Sequence, residues 1–392
     1  MAIDKIIFHI DVNSAFLSWS AVDALSKGED IDIRTIPSVI GGDESSRRGV
    51  VLAKSVPAKD YGIITGESLF SARRKCPNIE IISPCFHTYE KYSRAMMEML
   101  SEYTPIIEQY SIDECFLQFS KNSLREPIKF AEEIKERIKK ELGFTVNIGI
   151  SNNKLLAKMA SELNKPDKVN TIYPSEIKEK MWPLQVEELF MVGKSAKEKL
   201  NKMYIYTIGD LANYNVSLLK DKFKSYGELI WQYSNGIDNS EVATTVGDIK
   251  VISNSTTLAV DIIEKNEANK VLFSLVENVA ARLRKSNKCC SCIAVSIRSS
   301  EFKNYSHQRK LMNATDSTEK IAETVQQLFD ETWKREPIRL LGVSLSHLSE
   351  EGYYQLSLFE SGKENKNRAL DSAIDSIRNK YGDNVIKRFG SK

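Results

Sequence analysis

Apolar positions along the first part of the chain alternate between the two periods that backbone geometry allows, two residues in strands and 3.6 in helices. Lys5 to Val12 is an apolar, β-branched stretch of strand length. Ala15 to Ser26 then repeats apolar residues at helical spacing, with Ser14 placed to cap the helix and Gly28 to stop it. Ile40 to Gly49 is glycine-rich and charged and reads as a loop, Val50 to Ala53 as a short strand, and Glu67 to Lys75 as a helix halted before Pro77. Tyr89 to Tyr103 is helical, and Ile106 to Ser120 alternates like two strands joined near Ser111-Ile112-Asp113-Glu114. Phe130, Ala131, Ile134, Ile138 and Leu142 mark another helix, and Phe144 to Ile150 another strand. This order predicts a sheet with helices on one face, an α+β layer.

Beyond Asn164-Lys165-Pro166 the pattern is of short helices through Gly236, then a polar, linker-like stretch to Asp248. A second α+β domain follows: a helix from Asn266 to Lys285, strands Ile293 to Arg298 and Arg309 to Met312, a helix from Ser317 to Lys334 and a strand from Arg339 to Leu348. The remainder is polar except for two apolar islands, Tyr353 to Phe359 and a weak helix from Ala369 to Tyr381, and is expected to be a flexible tail. A multidomain α+β chain agrees with a length of 392 residues, too long for one simple core.

Composition narrows this little. Lys and Arg number 55 against 53 Asp and Glu, so a net charge of +2 neither demands nor excludes a polyanionic partner, and the placement of charge must decide. No apolar run approaches the roughly 20 residues of a membrane span, and Met-Ala-Ile-Asp-Lys does not open like a signal peptide, so a cytoplasmic location is expected. The six cysteines are scattered, or crowded at Cys289, Cys290 and Cys292 without zinc-site spacing, which reads as small residues in a buried strand in a reducing compartment.

Asp11 falls at the end of the first predicted strand, and Asp113-Glu114 at a turn between two others. Either could be an ordinary hydrogen-bonded or solvated turn residue. Apolar neighbours flank both, in Phe8-His9-Ile10-Asp11-Val12 and Cys115-Phe116-Leu117, so one sheet could bring the carboxylates together partly buried. That crowding of like charge is costly without a cation. Hard divalent cations such as Mg²⁺ take oxygen ligands, and paired ions bridged by carboxylates carry out phosphoryl transfer.

The segments HIDVNSAFLS, RRGVVLAKSVPAKDYGI, YSIDECFL and KLLAKMASELNKP, in this order, resemble the Y-family DNA polymerases, and the resemblance runs over nearly the whole chain. It implies a right-hand polymerase with a ferredoxin-like palm (1–19 and 78–165), small fingers (20–77), a helical thumb (166–236), a linker (237–248), an α+β little finger (249–350) and a tail (351–392). Asp11, Asp113 and Glu114, with the Val12 carbonyl, become ligands of two Mg²⁺ ions. Phe16 falls at the family's steric gate, where a large ring against the sugar leaves no space for a 2′-hydroxyl. Lys165 matches the triphosphate-binding lysine, with Lys59 a second contact. Val56 and Lys59 stand where many relatives have a tyrosine and an arginine, and Asn13 where an aspartate is commoner; a lysine offers a point charge in place of a fork.

Val186 to Ala196 resembles a helix-hairpin-helix, whose turn and following helix N-terminus, Gly193-Lys194-Ser195, present N–H groups to a phosphate; Met191 replaces the usual first glycine. Arg298, Arg309 and Lys310 belong to a basic set in the second domain suited to tracking DNA. Gln355-Leu356-Ser357-Leu358-Phe359 resembles the bacterial clamp-binding pentapeptide, with Gln355, Leu356, Leu358 and Phe359 as its contacts. The resemblance thus implies a monomeric translesion DNA polymerase that extends a primer with deoxynucleoside triphosphates on a DNA template, without proofreading, recruited by a sliding clamp. Two other readings remain: a nucleotide cyclase with a similar palm, which would need neither the hairpin nor the clamp peptide, and a catalytically impaired DNA- and clamp-binding scaffold.

Overall fold

The computed structural model describes residues 5–43, 49–121, 124–245, 247–350, 363–382 and 385–386. The chain divides into two compact units, one from residues up to Gly42 and from Val50 to Val246, the other from Gly247 onwards. In order, the first contains β1 (Lys5–Val12), α1 (Ala15–Ser26), β2 (Ser38–Gly41), β3 (Val51–Lys54), α2 (Val56–Asp60), α3 (Leu69–Lys75), β4 (Glu80–Ile82), α4 (Phe86–Ser101), β5 (Ile107–Gln109) and β6 (Glu114–Ser120). It continues with α5 (Pro127–Leu142), β7 (Val146–Ser151), α6 (Lys154–Glu162), β8 (Val169–Thr171), α7 (Lys194–Asn201), α8 (Ile208–Ala212), α9 (Val216–Phe223) and α10 (Ser225–Ser234).

The main sheet runs β5-β6-β1-β7-β8, with β1 in the centre and antiparallel to both neighbours. The two-residue period splits β1 between two faces. Ile6, Phe8, Ile10 and Val12 join Leu117 and Phe119 of β6, Ile148 and Ile150 of β7, and residues of α4 and α5 in the largest apolar core of this unit. Ile7, His9 and Asp11 occupy the opposite face, in register with Gln118, Phe116 and Glu114 on one side and Ser151, Gly149 and Asn147 on the other. Helix α6 lies on that face. A Cβ on Gly149 would stand 2.0 Å from the Ala157 carbonyl oxygen and 2.3 Å from Ser161 N, so glycine is what lets the helix reach the strand. The far side of α6, with Leu156 and Met159, packs with Ile208, Leu211, Leu219 and Ile230 into a helical core.

Several elements differ from the sequence expectation. Ile40 and Gly41, expected in a loop, complete β2, which is buried between antiparallel β3 and parallel β4; four residues are too few to show a period. Ser14 precedes α1 with φ 48° and makes no side-chain cap. Its carbonyl instead accepts from Ser18 N at 2.9 Å. Of the expected linker, the start is fastened to the first unit. Asp238 accepts from Leu155 N at 3.0 Å, Glu108 accepts from Ala243 N at 2.7 Å, and Val242 is buried beside Ile7 and Phe116.

The second unit holds β9 (Val251–Ile262), α11 (Lys265–Lys285), β10 (Lys288–Ser299), β11 (Asn304–Thr315), α12 (Thr318–Thr332), β12 (Ile338–Glu350) and α13 (Lys363–Tyr381). Its sheet runs β11-β10-β12-β9, and α11 and α12 share a core with it. Cys289, Cys290 and Cys292 are buried in β10, as the sequence suggests. Strand β9 is not expected, because its apolar residues are interrupted by Ser253, Asn254, Ser255 and Thr256. The weak helix expected from Ala369 to Tyr381 is present within α13 and is packed, not flexible: Asp371 and Ile374 are buried, and Arg284 of α11 donates to Asp375 at 2.6 Å. A weakly amphipathic sequence becomes a packed helix once a charged partner receives it. The peptide Gln355 to Phe359 lies outside the described residues.

Candidate active site

Asp11, Asp113 and Glu114 are brought to neighbouring strand ends because β1 and β6 are antiparallel partners. Asp11 is in register with Glu114, and Val12 N donates to the Asp113 carbonyl at 3.1 Å. A cleft of about 480 Å³ beside them is lined by Asp11, Val12, Asn13, Phe16, Val56, Lys59, Asp113 and Lys165. The sequence therefore identifies residues from four separate segments that fold against one space. Helix α2 presents Val56 and Lys59 there, started by Ser55, whose hydroxyl accepts from Ala58 N at 3.1 Å, and by Pro57 in its first turn. Asn13 is tied down, its side-chain amide donating to Thr145 Oγ1 at 3.1 Å.

Phe16 is half-buried, its ring stacked on Tyr89 with centroids 4.5 Å apart and flanked by Phe86 at 6.1 Å. The aromatic cluster fixes the ring at the edge of the cleft. Arg34 and Lys54 also line the cleft. Burial and the nearby Lys59 lower the pKa of Lys54, as clustered cations do.

Among the described residues, no three His, Cys, Asp or Glu side chains are gathered into a ready metal shell. Each carboxylate is instead met by a donor of the protein. Lys165 Nζ stands 2.6 Å from Asp11 Oδ2 and 2.9 Å from Glu162 Oε1. Ser111 Oγ donates to Asp113. Glu114 Oε2 accepts from His9 Nε2 at 3.0 Å and from Lys158 Nζ. Burial pushes Asp11 up to about 6, with Glu162 and Glu114 adding to the effect against the pull of Lys165. Burial works the same way on Glu114, but the hydrogen bonds of His9 and Lys158 outweigh it and hold that carboxyl down to about 2.

His9, Lys158 and Ser161 are absent from the sequence expectation. Their signal was present in part: His9 lies two residues before Asp11 and so on the same strand face, and Lys158 and Ser161 share one face of α6 at i, i+3 spacing.

The expected nucleic-acid contacts are spread over both units. Gly193 is the N-cap of α7, and Lys194 and Ser195 are exposed in its first turn. Met191 has φ 75°, a left-handed conformation that suits glycine, and its carbonyl accepts from Tyr226 Oη at 2.9 Å. In the second unit, Arg309 is in register with the core residue Ile293 and donates to Gln327 and Glu331 of α12 at 2.6 Å each. Lys310 is exposed, and Arg298 donates to Asn304 Oδ1 at 2.7 Å. Both lie on the other face of the sheet, so Arg309 differs from them in being committed to a helix of its own unit.

Residues 10–162 match the impB/mucB/samB family, and residues 249–358 match its C-terminal domain. The chain is 60% identical over 386 residues to DNA polymerase IV of Clostridium acetobutylicum, covering 98% of this chain and 97% of that one. It is 36% identical to DNA polymerase IV of Acetivibrio thermocellus, covering 98% and 96%. A solved Y-family DNA polymerase chimera has the same fold, with a TM-score of 0.77 at 20% identity over 88% of this chain and all of that one. On a likeness that extends over almost its full length, through both units, this chain belongs to the Y-family DNA polymerases.

Proposed function

We propose that the chain extends a primer 3′ end along a DNA template by nucleotidyl transfer, with Asp11, Asp113, Glu114 and the Val12 carbonyl holding two Mg²⁺ ions. The carrying observation is the single cleft that collects Asp11, Asp113, Phe16, Lys59 and Lys165. The donor set fits hard cations: the buried Asp11 carboxylate is paired with an ammonium, and Glu114 stands across the strand register from it. Bound there, the ions would lower the pKa of the attacking hydroxyl and neutralise the leaving pyrophosphate. Phe16 excludes a ribose hydroxyl, while Lys165 and Lys59, with Arg34 and Lys54 nearby, supply positive charge for a triphosphate.

Residues 1–19 and 78–165 serve as palm, 20–77 as fingers, 166–236 as thumb and 249–350 as little finger, with Gly193, Lys194, Ser195, Arg298 and Lys310 contacting duplex backbone. Gln355 to Phe359 recruits the sliding clamp. Primer extension with Mg²⁺ and deoxynucleotides, comparing wild type with Asp113→Ala, tests the central reading: extension by wild type and loss in the variant are expected, and equal extension would reject the metal assignment. Val56, exposed in the cleft with no group to bind a phosphate, favours the scaffold as a second reading. It predicts DNA and clamp binding with no extension by wild type.

A further inference from the structure

Three side chains on the α6 face form a continuous line that ends on Glu114. His9 and Ser161 are both fully buried. The His9 ring places Nδ1 2.7 Å from Ser161 Oγ and Nε2 3.0 Å from Glu114 Oε2. The packing leaves the ring little freedom: Phe116 lies in register with His9 on one neighbouring strand, with ring centroids 4.6 Å apart, and Gly149 lies in register on the other. Because Gly149 has no side chain, α6 approaches closely enough for Ser161 to reach the ring, and Asn147 Nδ2 fixes the Ser161 carbonyl at 2.9 Å.

Protons along this line can be assigned by counting donors. A carboxylate only accepts, so the nitrogen facing Glu114 carries a proton. In a neutral imidazole Nδ1 is then bare and must accept, and Ser161 O–H is the donor in reach. The Ser161 hydroxyl is also 2.8 Å from the Lys158 carbonyl, but that carbonyl lies inside α6, where the helix ladder serves it.

We infer that Ser161 locks His9 in its Nε2–H tautomer and that this buried pair positions Glu114. His9 and Lys158 both use Oε2 of that carboxylate, which leaves Oε1 for a cation. His9 and Ser161 are fully buried and so act through Glu114, as the outer partners of metal-binding carboxylates do. The inference rests on the reading of Glu114 as a cation ligand, and its first test stands apart from that reading.

The full-length protein carries four histidines, so its ¹⁵N-histidine spectrum is simple enough to follow His9 through loss of its signals in His9→Gln. The wild-type ring is expected to carry a proton at Nε2, and Ser161→Ala is expected to shift it toward the Nδ1–H form. A wild-type Nε2 without a proton, or a ring unchanged in Ser161→Ala, overturns the lock. The second arm is primer extension titrated with Mg²⁺. Ser161→Ala and His9→Leu are expected to raise the half-saturating Mg²⁺ by about tenfold, with a smaller change at saturating Mg²⁺. His9→Gln, whose amide N–H can replace Nε2–H, should restore most of the wild-type dependence. Identical Mg²⁺ curves for wild type and Ser161→Ala overturn the positioning role, and that variant keeps the test open should His9→Leu not fold. Absence of extension by wild type refutes the proposed function instead, and the spectra still decide the lock.

Discussion

Lys165 Nζ stands 2.6 Å from Asp11 Oδ2, joining two residues that are 154 positions apart in the chain. The pair places a cation of the protein on a buried carboxylate whose pKa burial has pushed up to about 6. A carboxyl group with a raised folded pKa contributes stability that is complete below its unfolded value and is lost as pH rises through the folded one. Asp11→Asn should therefore be more stable than wild type above about pH 6, by on the order of 2–3 kcal/mol, with the gain shrinking towards about pH 4. Thermal melts with chelator across this range check it; a difference that does not change with pH would contradict the assignment.

Phe16→Ala removes the ring stacked on Tyr89 at the cleft edge. Ribonucleotide incorporation should rise relative to deoxynucleotide by about tenfold or more, at a cost of about 1 kcal/mol in stability because the ring is only half-buried. Competition assays with paired ribo- and deoxynucleotides give the ratio, and unchanged discrimination would remove Phe16 from the gate.

Gly149→Ala drives a methyl into the Ala157 carbonyl and Ser161 N. Both obstacles are backbone and cannot swing aside, so a loss of about 3 kcal/mol or more is expected, with activity falling as α6 is displaced from His9. Urea denaturation measures this; a variant as stable as wild type would show that the close approach is not needed.

Met191→Gly should act in the opposite direction. The left-handed conformation at φ 75° costs a side-chain-bearing residue about 1 kcal/mol, so the glycine variant should denature at higher urea with DNA binding retained. A lower midpoint would mean that Met191 contributes packing that outweighs its backbone strain.

Lys310 and Arg309 are neighbours with different surroundings. Lys310→Ala should reduce the slope of log affinity for DNA against log salt by about 0.9. Arg309→Ala should leave that slope almost unchanged and instead weaken the fold, since its guanidinium joins β11 to Gln327 and Glu331 of α12. Equal slope changes would place both residues on phosphate.

Sequence alone determined the elements with a strong local period. The β1 strand, the helix after it, the two strands around Asp113-Glu114 and the long helices of the second unit all follow from apolar spacing, and the motifs singled out Asp11, Asp113, Phe16 and Lys165, which line one cleft. Tertiary structure decided what has no local signal. Strand β2 exists because β3 and β4 pair with it, α13 is held because Arg284 meets Asp375, and Arg309 is set apart from Lys310 by a helix that packs on only one face of the sheet. The same holds at the candidate active site. That His9 would stand between Ser161 and Glu114 depends on strand register and on α6 descending over Gly149, a long-range closeness that no spacing along the chain records.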